Sequence, residues 1–137
     1  MKNIYNYFLL IRPLNVLVSG LAMIISAAIL DSLDQKLLVM LTVLVVMTYT
    51  AGANSINDVL DSEIDKVNRP SRPIPSENIK RNKALIFSFL LFLLGSVLSL
   101  QLPPNAYFIS IVVSMPLMVI YSTHLKSKPL IGNIAVS

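Results

Sequence analysis

The chain contains no cysteine, a single histidine and little charge: only 13% of its 137 residues are Asp, Glu, Lys or Arg. Without cysteine there is no disulfide, no thiolate metal site and no cysteine nucleophile. With one histidine, His124, and no Ser/His/Asp pattern, the groups for covalent nucleophilic catalysis are not assembled either. An ordinary soluble domain is about one-quarter charged. The low charge, together with 55% hydrophobic residues and a mean hydropathy of +0.72, indicates a membrane protein. A net charge of +4 could suggest a nucleic-acid partner. The basic residues, however, sit beside apolar runs, and no basic face with interleaved aromatics is present. No nucleic acid is therefore expected as a partner, and the cations read as topology signals and anion ligands.

What is present is a series of uncharged runs. Residues 1–13 form a head with Lys2, Arg12 and the rings of Tyr5, Tyr7 and Phe8, suited to the headgroup level of a bilayer. Leu14–Leu30, Leu37–Ala53, Ala84–Leu102 and Ala106 to Tyr121 or Ser122 are the expected spans. The positive head and first run also resemble a signal peptide, but three further spans follow. From Leu130 to Ser137 a fifth apolar segment begins. Eight residues of helix rise about 12 Å against a hydrocarbon core of roughly 30 Å, so a partial protein is expected. The fold class is thus an all-α membrane protein of about four transmembrane helices plus the start of a fifth, forming one domain over 1–137.

Positive charge orients the spans. Lys2 and Arg12, six Lys/Arg from Lys66 to Lys83, and Lys126 with Lys128 alternate with loops that hold only Lys36. The positive-inside rule places the N-terminus and the basic loops in the cytoplasm of a multi-pass cell-membrane protein.

The second run feeds directly into Asn54-Ser-Ile-Asn57-Asp58-Val-Leu-Asp61-Ser-Glu-Ile-Asp65. If the helix continues, Asn57, Asp61 and Asp65 lie one turn apart on a single face, Asn54 and Asp58 fall close to it, and Glu63 points away. These are hard oxygen donors of the kind that suit Mg²⁺. Lys66, Arg69 and Arg72 follow at once, and Pro70, Pro73 and Pro75 end the helix while stiffening the loop that carries the arginines. A D-x-x-x-D at a helix end also describes a merely solvated terminus. The deeper asparagines favour a site, because polar groups at membrane depth are costly. Carboxylates, a divalent cation and arginines at a membrane face make a diphosphate site. Lewis-acid help to a leaving diphosphate fits beside an apolar cavity that excludes water.

Asn57-Asp58-x-x-Asp61-x-x-x-Asp65, followed by Asn68-Arg69-Pro70-x-Arg72-Pro73-Ile74-Pro75-Ser76, resembles the first aspartate-rich motif of the UbiA superfamily of intramembrane prenyltransferases. Arg12-Pro13-Leu14-Asn15 resembles the family's opening of helix 1. Tyr121-Ser122-x-x-Leu125-Lys126 and Pro129-Leu130-Ile131-Gly132-Asn133 resemble the end of helix 4 and the start of helix 5. The resemblance covers essentially the whole chain and is strongest to the archaeal-type geranylgeranyltransferase branch, which adds the second prenyl chain in ether-lipid synthesis. It implies the N-terminal half of a UbiA-like helical bundle.

It also implies roles. Asn57, Asp61 and Asp65 would bind Mg²⁺ and, through it, a polyprenyl diphosphate, with Asp58 helping. Lys126, Arg69 and Arg72 would hold phosphate oxygens, and the hydroxyl of a lipid acceptor would attack the allylic cation. Asn15 and Asn54 either line the cavity or bond helix to helix, and Arg12 is either a topology anchor or a ligand. His124 reads as an interfacial residue, and Glu63 and Glu77 as solvated. The family has about nine helices and a second aspartate-rich motif that this chain lacks, so a missing C-terminal half is expected to complete the site. Alternatives are an aromatic-acceptor enzyme of quinone or haem O synthesis, a cation transporter subunit, and a non-catalytic lipid-diphosphate binder.

Overall fold

The computed structural model describes residues 2–121. Its helices are α1 (Lys2–Leu10), α2 (Pro13–Ile29), α3 (Lys36–Leu60), α4 (Ser62–Asn68), α5 (Arg81–Ser99) and α6 (Pro104–Ile120), the last with a π-helical stretch at Ile109–Ser114. No strand occurs among the described residues. All four expected apolar runs are helical. Helices α3 and α5 are long and apolar enough to cross a membrane. With α1 from Ile4 onward, α2 forms a third such span, bent by 53°, and α6 is a shorter apolar helix. The head expected at the interface is therefore a helix in its own right, set at an angle to the first span. The fifth segment lies outside the described residues.

Helix α3 is the centre of the bundle, packing on α2, α5 and α6. Lipid tails are as apolar as leucine, so membrane helices associate through close packing of small residues more than through a hydrophobic effect. Gly20 of α2 lies so near Met47 that an added Cβ would come within 2.8 Å of its sulfur. Between α3 and α5 the device is reciprocal: the ring of Phe92 covers Gly52, and the ring of Tyr49 covers Gly95. The two rings lie 6.0 Å apart, centroid to centroid.

Hydroxyls inside this packing are satisfied locally, as a bilayer requires. Ser55, Ser88 and Ser96 each donate to the carbonyl four residues back. The Tyr49 hydroxyl meets Ser96 Oγ at 3.1 Å and accepts from Ser110 at 3.3 Å. Outward faces carry large apolar side chains such as Leu17, Ile25, Phe89 and Leu93, all at least half exposed and suited to lipid.

The antiparallel sequence of helices brings the start of α2, the end of α3 with α4, and the start of α5 to one end of the bundle. There a second small core forms from Leu10, Val59, Ile74, Ile79 and Ala84, flanked by Tyr7 and Phe87. Ile74 and Ile79 belong to the loop between α4 and α5, and the Ile79 amide donates to the Pro73 carbonyl at 2.9 Å. The arginine-bearing loop is thus pinned to the helices by its own buried isoleucines.

Candidate functional site

The Asn/Asp stripe survives a break in the helix. Helix α3 ends at Leu60 and α4 begins at Ser62, yet the i→i−4 backbone bonds run on through the junction. Asp61 N donates to Asn57 O at 2.9 Å, Asp65 N to Asp61 O at 2.8 Å, and Arg69 N to Asp65 O at 2.8 Å. Each member of the stripe is therefore bonded through its backbone to the one before it, and the expected single face is preserved. The helical path extends past Asp65 to Asn68 and ends just before Pro70. Glu63 faces the other way and pairs with Lys66 at 2.9 Å, both exposed.

A cleft of about 610 Å³ opens at this end, lined by Arg12, Asp61, Ile64, Asp65, Asn68, Arg69 and Arg72. Behind it lies a network of buried charge. Asp58, with 4% of its side chain exposed, accepts from Arg12 and, at 3.1 Å, from Arg72 Nη1. The same Nη1 reaches Asp65 Oδ2 at 2.5 Å. Buried carboxylates require such partners, since an unpaired buried charge costs several kcal/mol.

Arg12 is the contribution that sequence reasoning left undecided. It occupies the left-handed region at the α1–α2 break (φ 54°, ψ 73°), a conformation that costs a non-glycine residue roughly 1–3 kcal/mol and persists only when its surroundings hold it. Two contacts hold it: its guanidinium on Asp58, and Asn54 Nδ2 donating to the neighbouring Ile11 carbonyl at 2.9 Å. Of the two readings of Asn54, bonding between helices is the one seen. The signal available in the sequence was a carboxylate at depth, which demands a counter-charge, and one arginine immediately before the first span.

The other expected residues distribute as follows. Asp61, Asp65, Arg69 and Arg72 converge on the cleft. Asp58 sits behind it, bound to arginines. Asn15 is exposed on α2 and makes no side-chain hydrogen bond among the described residues. Lys126 and His124 lie outside the described residues. Glu77 is exposed, as expected.

Asn57 Oδ1 is buried and accepts no hydrogen bond among the described residues. An orphaned buried acceptor of this kind requires an explanation, an ion being one. Among the described residues no three carboxylates or imidazoles are placed to hold a metal by themselves. Mg²⁺, however, is ordinarily held by one or two carboxylates plus substrate phosphate. The orphaned carboxamide oxygen and the carboxylates of Asp61 and Asp65, all hard donors on one face, fit that ion.

Comparison with known proteins identifies the family. Residues 14–137 match the model of the UbiA prenyltransferase family. The chain is 43% identical over 131 residues to a digeranylgeranylglyceryl phosphate synthase of Methanoregula boonei, covering 96% of this chain and 46% of that protein. Identity to the protein of the same name from Methanothermobacter thermautotrophicus is 40% over 133 residues, with the same coverage. A solved structure from work on digeranylgeranylglyceryl phosphate synthase in membranes superposes with a TM-score of 0.85 at 36% identity, over 99% of this chain and 49% of that one. The chain thus spans about half the length of the curated relatives it matches. Its helices and these likenesses make it a multi-pass membrane protein, and it belongs to the UbiA prenyltransferase family.

Proposed function

We propose that the chain supplies the diphosphate-binding half of an enzyme that transfers a geranylgeranyl group from its diphosphate to a prenylated glycerol phosphate in ether-lipid synthesis. The carrying observation is the cleft itself: Asp61, Asp65, Arg69 and Arg72 line it together at the end of an apolar helical bundle, with the unsatisfied Asn57 oxygen on the same helix face. The lipid acceptor is favoured over an aromatic one because relatives at 40%, 41% and 43% identity carry the synthase name. Nothing in the described residues favours an ion-conducting role.

When bound, Mg²⁺ would neutralise diphosphate charge and assist departure of the leaving group. Asn57, Asp61 and Asp65 would hold it. Arg69 and Arg72 would bind phosphate oxygens and stabilise charge as the allylic C–O bond breaks, with Lys126 in the same role. The acceptor hydroxyl then forms the new C–O bond to the allylic carbon and releases its proton. The apolar helices keep water from the cation meanwhile. The basic end faces the cytoplasm by the charge rule, and a second segment of similar length, corresponding to the remainder of the relatives, completes the site.

The complete protein in liposomes, supplied with labelled geranylgeranyl diphosphate, geranylgeranylglyceryl phosphate and Mg²⁺, should form the diether. Asp61→Ala and Asp65→Ala should each cut turnover by at least about 100-fold, the scale of a lost electrostatic stabiliser. Normal turnover in both variants would refute the assignment.

A further inference from the structure

Arg72 stands in an unexpected place for a phosphate ligand: its Nη1 bridges Asp65 at 2.5 Å and Asp58 at 3.1 Å. The oxygen on which a cation is to bind is already neutralised by an arginine. We propose that Arg72 is a built-in placeholder cation, seated on Asp65 while the site is empty and exchanged to the diphosphate when cation and diphosphate enter together. This rests on the diphosphate-site reading above and adds to it the order of events.

Three features of the network support an exchange. The first is an asymmetry between the two carboxylates. Asp58 keeps a second partner, Arg12, if Arg72 leaves, whereas Arg72 is the partner of Asp65. Departure of Arg72 therefore exposes the charge of Asp65 alone, at the wall of the cleft and within reach of an entering ion. The second is the loop: Arg72 lies between Pro70 and Pro73, on a segment anchored by buried Ile74. Its backbone is fixed, so the guanidinium moves by side-chain rotation within a short radius.

The third is charge balance. Among the described residues, Asp58, Asp61 and Asp65 are opposed by Arg12, Arg69 and Arg72, three negative against three positive. A divalent cation entering alone adds two positive charges to a partly desolvated site, and a diphosphate alone adds about three negative ones. Entering together they nearly cancel, and a freed guanidinium gains a phosphate partner suited to its planar donors. Cation binding should thus be weak alone and strongly coupled to diphosphate, so that a cation without substrate does not occupy the site.

The test is Mn²⁺ binding to the complete protein in nanodiscs, followed by electron paramagnetic resonance, with and without inorganic pyrophosphate. In the unmodified protein pyrophosphate should tighten Mn²⁺ binding at least about tenfold. Arg72→Gln should tighten binding of Mn²⁺ alone by about tenfold, the worth of one partly buried ion pair, and abolish most of the coupling. Arg69→Gln removes the same charge from the cleft without touching a carboxylate, so its gain should be several-fold smaller. An equal gain would mean that only the field changed, and would overturn the exchange. Arg72→Lys keeps the charge but carries it on a shorter stem, so from the same anchored backbone it sits farther from Asp65 than Nη1 does. It should still bind Mn²⁺ alone more tightly, and no gain there overturns the proposal even if Arg72→Gln fails to fold. If Mn²⁺ binds to no form even with pyrophosphate, the diphosphate-site reading itself falls. If it binds identically to all forms, the exchange alone falls.

Discussion

Replacing Asp58 by Asn removes a charge and nothing else of size, and so isolates the worth of the buried network. Breaking a buried ion pair by removing one partner costs about 3–5 kcal/mol when the survivor is left uncompensated. Here the survivors are two, and they fare differently. Arg72 retains Asp65 at 2.5 Å, while Arg12 loses its carboxylate but keeps 32% of its side chain exposed at the cleft, where water can reach it. The cost should therefore fall to about 2 kcal/mol, part of it from loosening the left-handed Arg12 backbone that Asp58 helps to hold. Arg12→Gln leaves Asp58 with Arg72 and should cost about 1 kcal/mol. Because both substitutions break the same contact, the double variant should lose distinctly less than the sum of the singles, by about 1 kcal/mol or more. The assay is titration of the protein from bicelles into sodium dodecyl sulfate, followed by circular dichroism. Strict additivity, or an Asp58→Asn cost below about 0.5 kcal/mol, would show that Asp58 is hydrated and that the network contributes nothing to the fold.

Asn57→Ala should leave stability unchanged or raise it by up to about 1 kcal/mol, because its buried Oδ1 has no partner to lose; in the same preparation pyrophosphate-coupled Mn²⁺ binding should drop at least about tenfold. Unfolding titration together with the resonance assay separates the two effects. Gly95→Leu should destabilise by at least about 3 kcal/mol in that titration, since even a Cβ there comes within 2.6 Å of the Tyr49 ring. Tyr49 cannot yield freely, held as it is by Ser96 and Ser110, and a native-like midpoint for Gly95→Leu would disprove the ring-on-glycine account of the α3–α5 contact.

The parts of this structure that were legible in the sequence are those governed by period and polarity. Uncharged runs became helices because a bilayer leaves the backbone few alternatives, and the spacing of Asn57, Asp61 and Asp65 put them on one face because 3.6 residues per turn does so at any depth. The pairing of Glu63 with Lys66, away from that face, follows from the same geometry. What could not be read was which cation each carboxylate meets. Arg12 lies 46 positions from Asp58 in the chain, and its approach depends on a left-handed residue and a 53° bend. No local propensity encodes those, since a proline at the first position of α2 is compatible with a straight entry as well. The bend follows instead from demands made by α3: Asn54 needs an acceptor and finds the Ile11 carbonyl, and Asp58 needs a counter-charge and finds Arg12. A motif whose spacing looks designed only for an ion thus divides its work. Asp61 and Asp65 line the cleft, while Asn54 and Asp58 fasten the first span to the second and Asp58 holds the arginines that a diphosphate would meet.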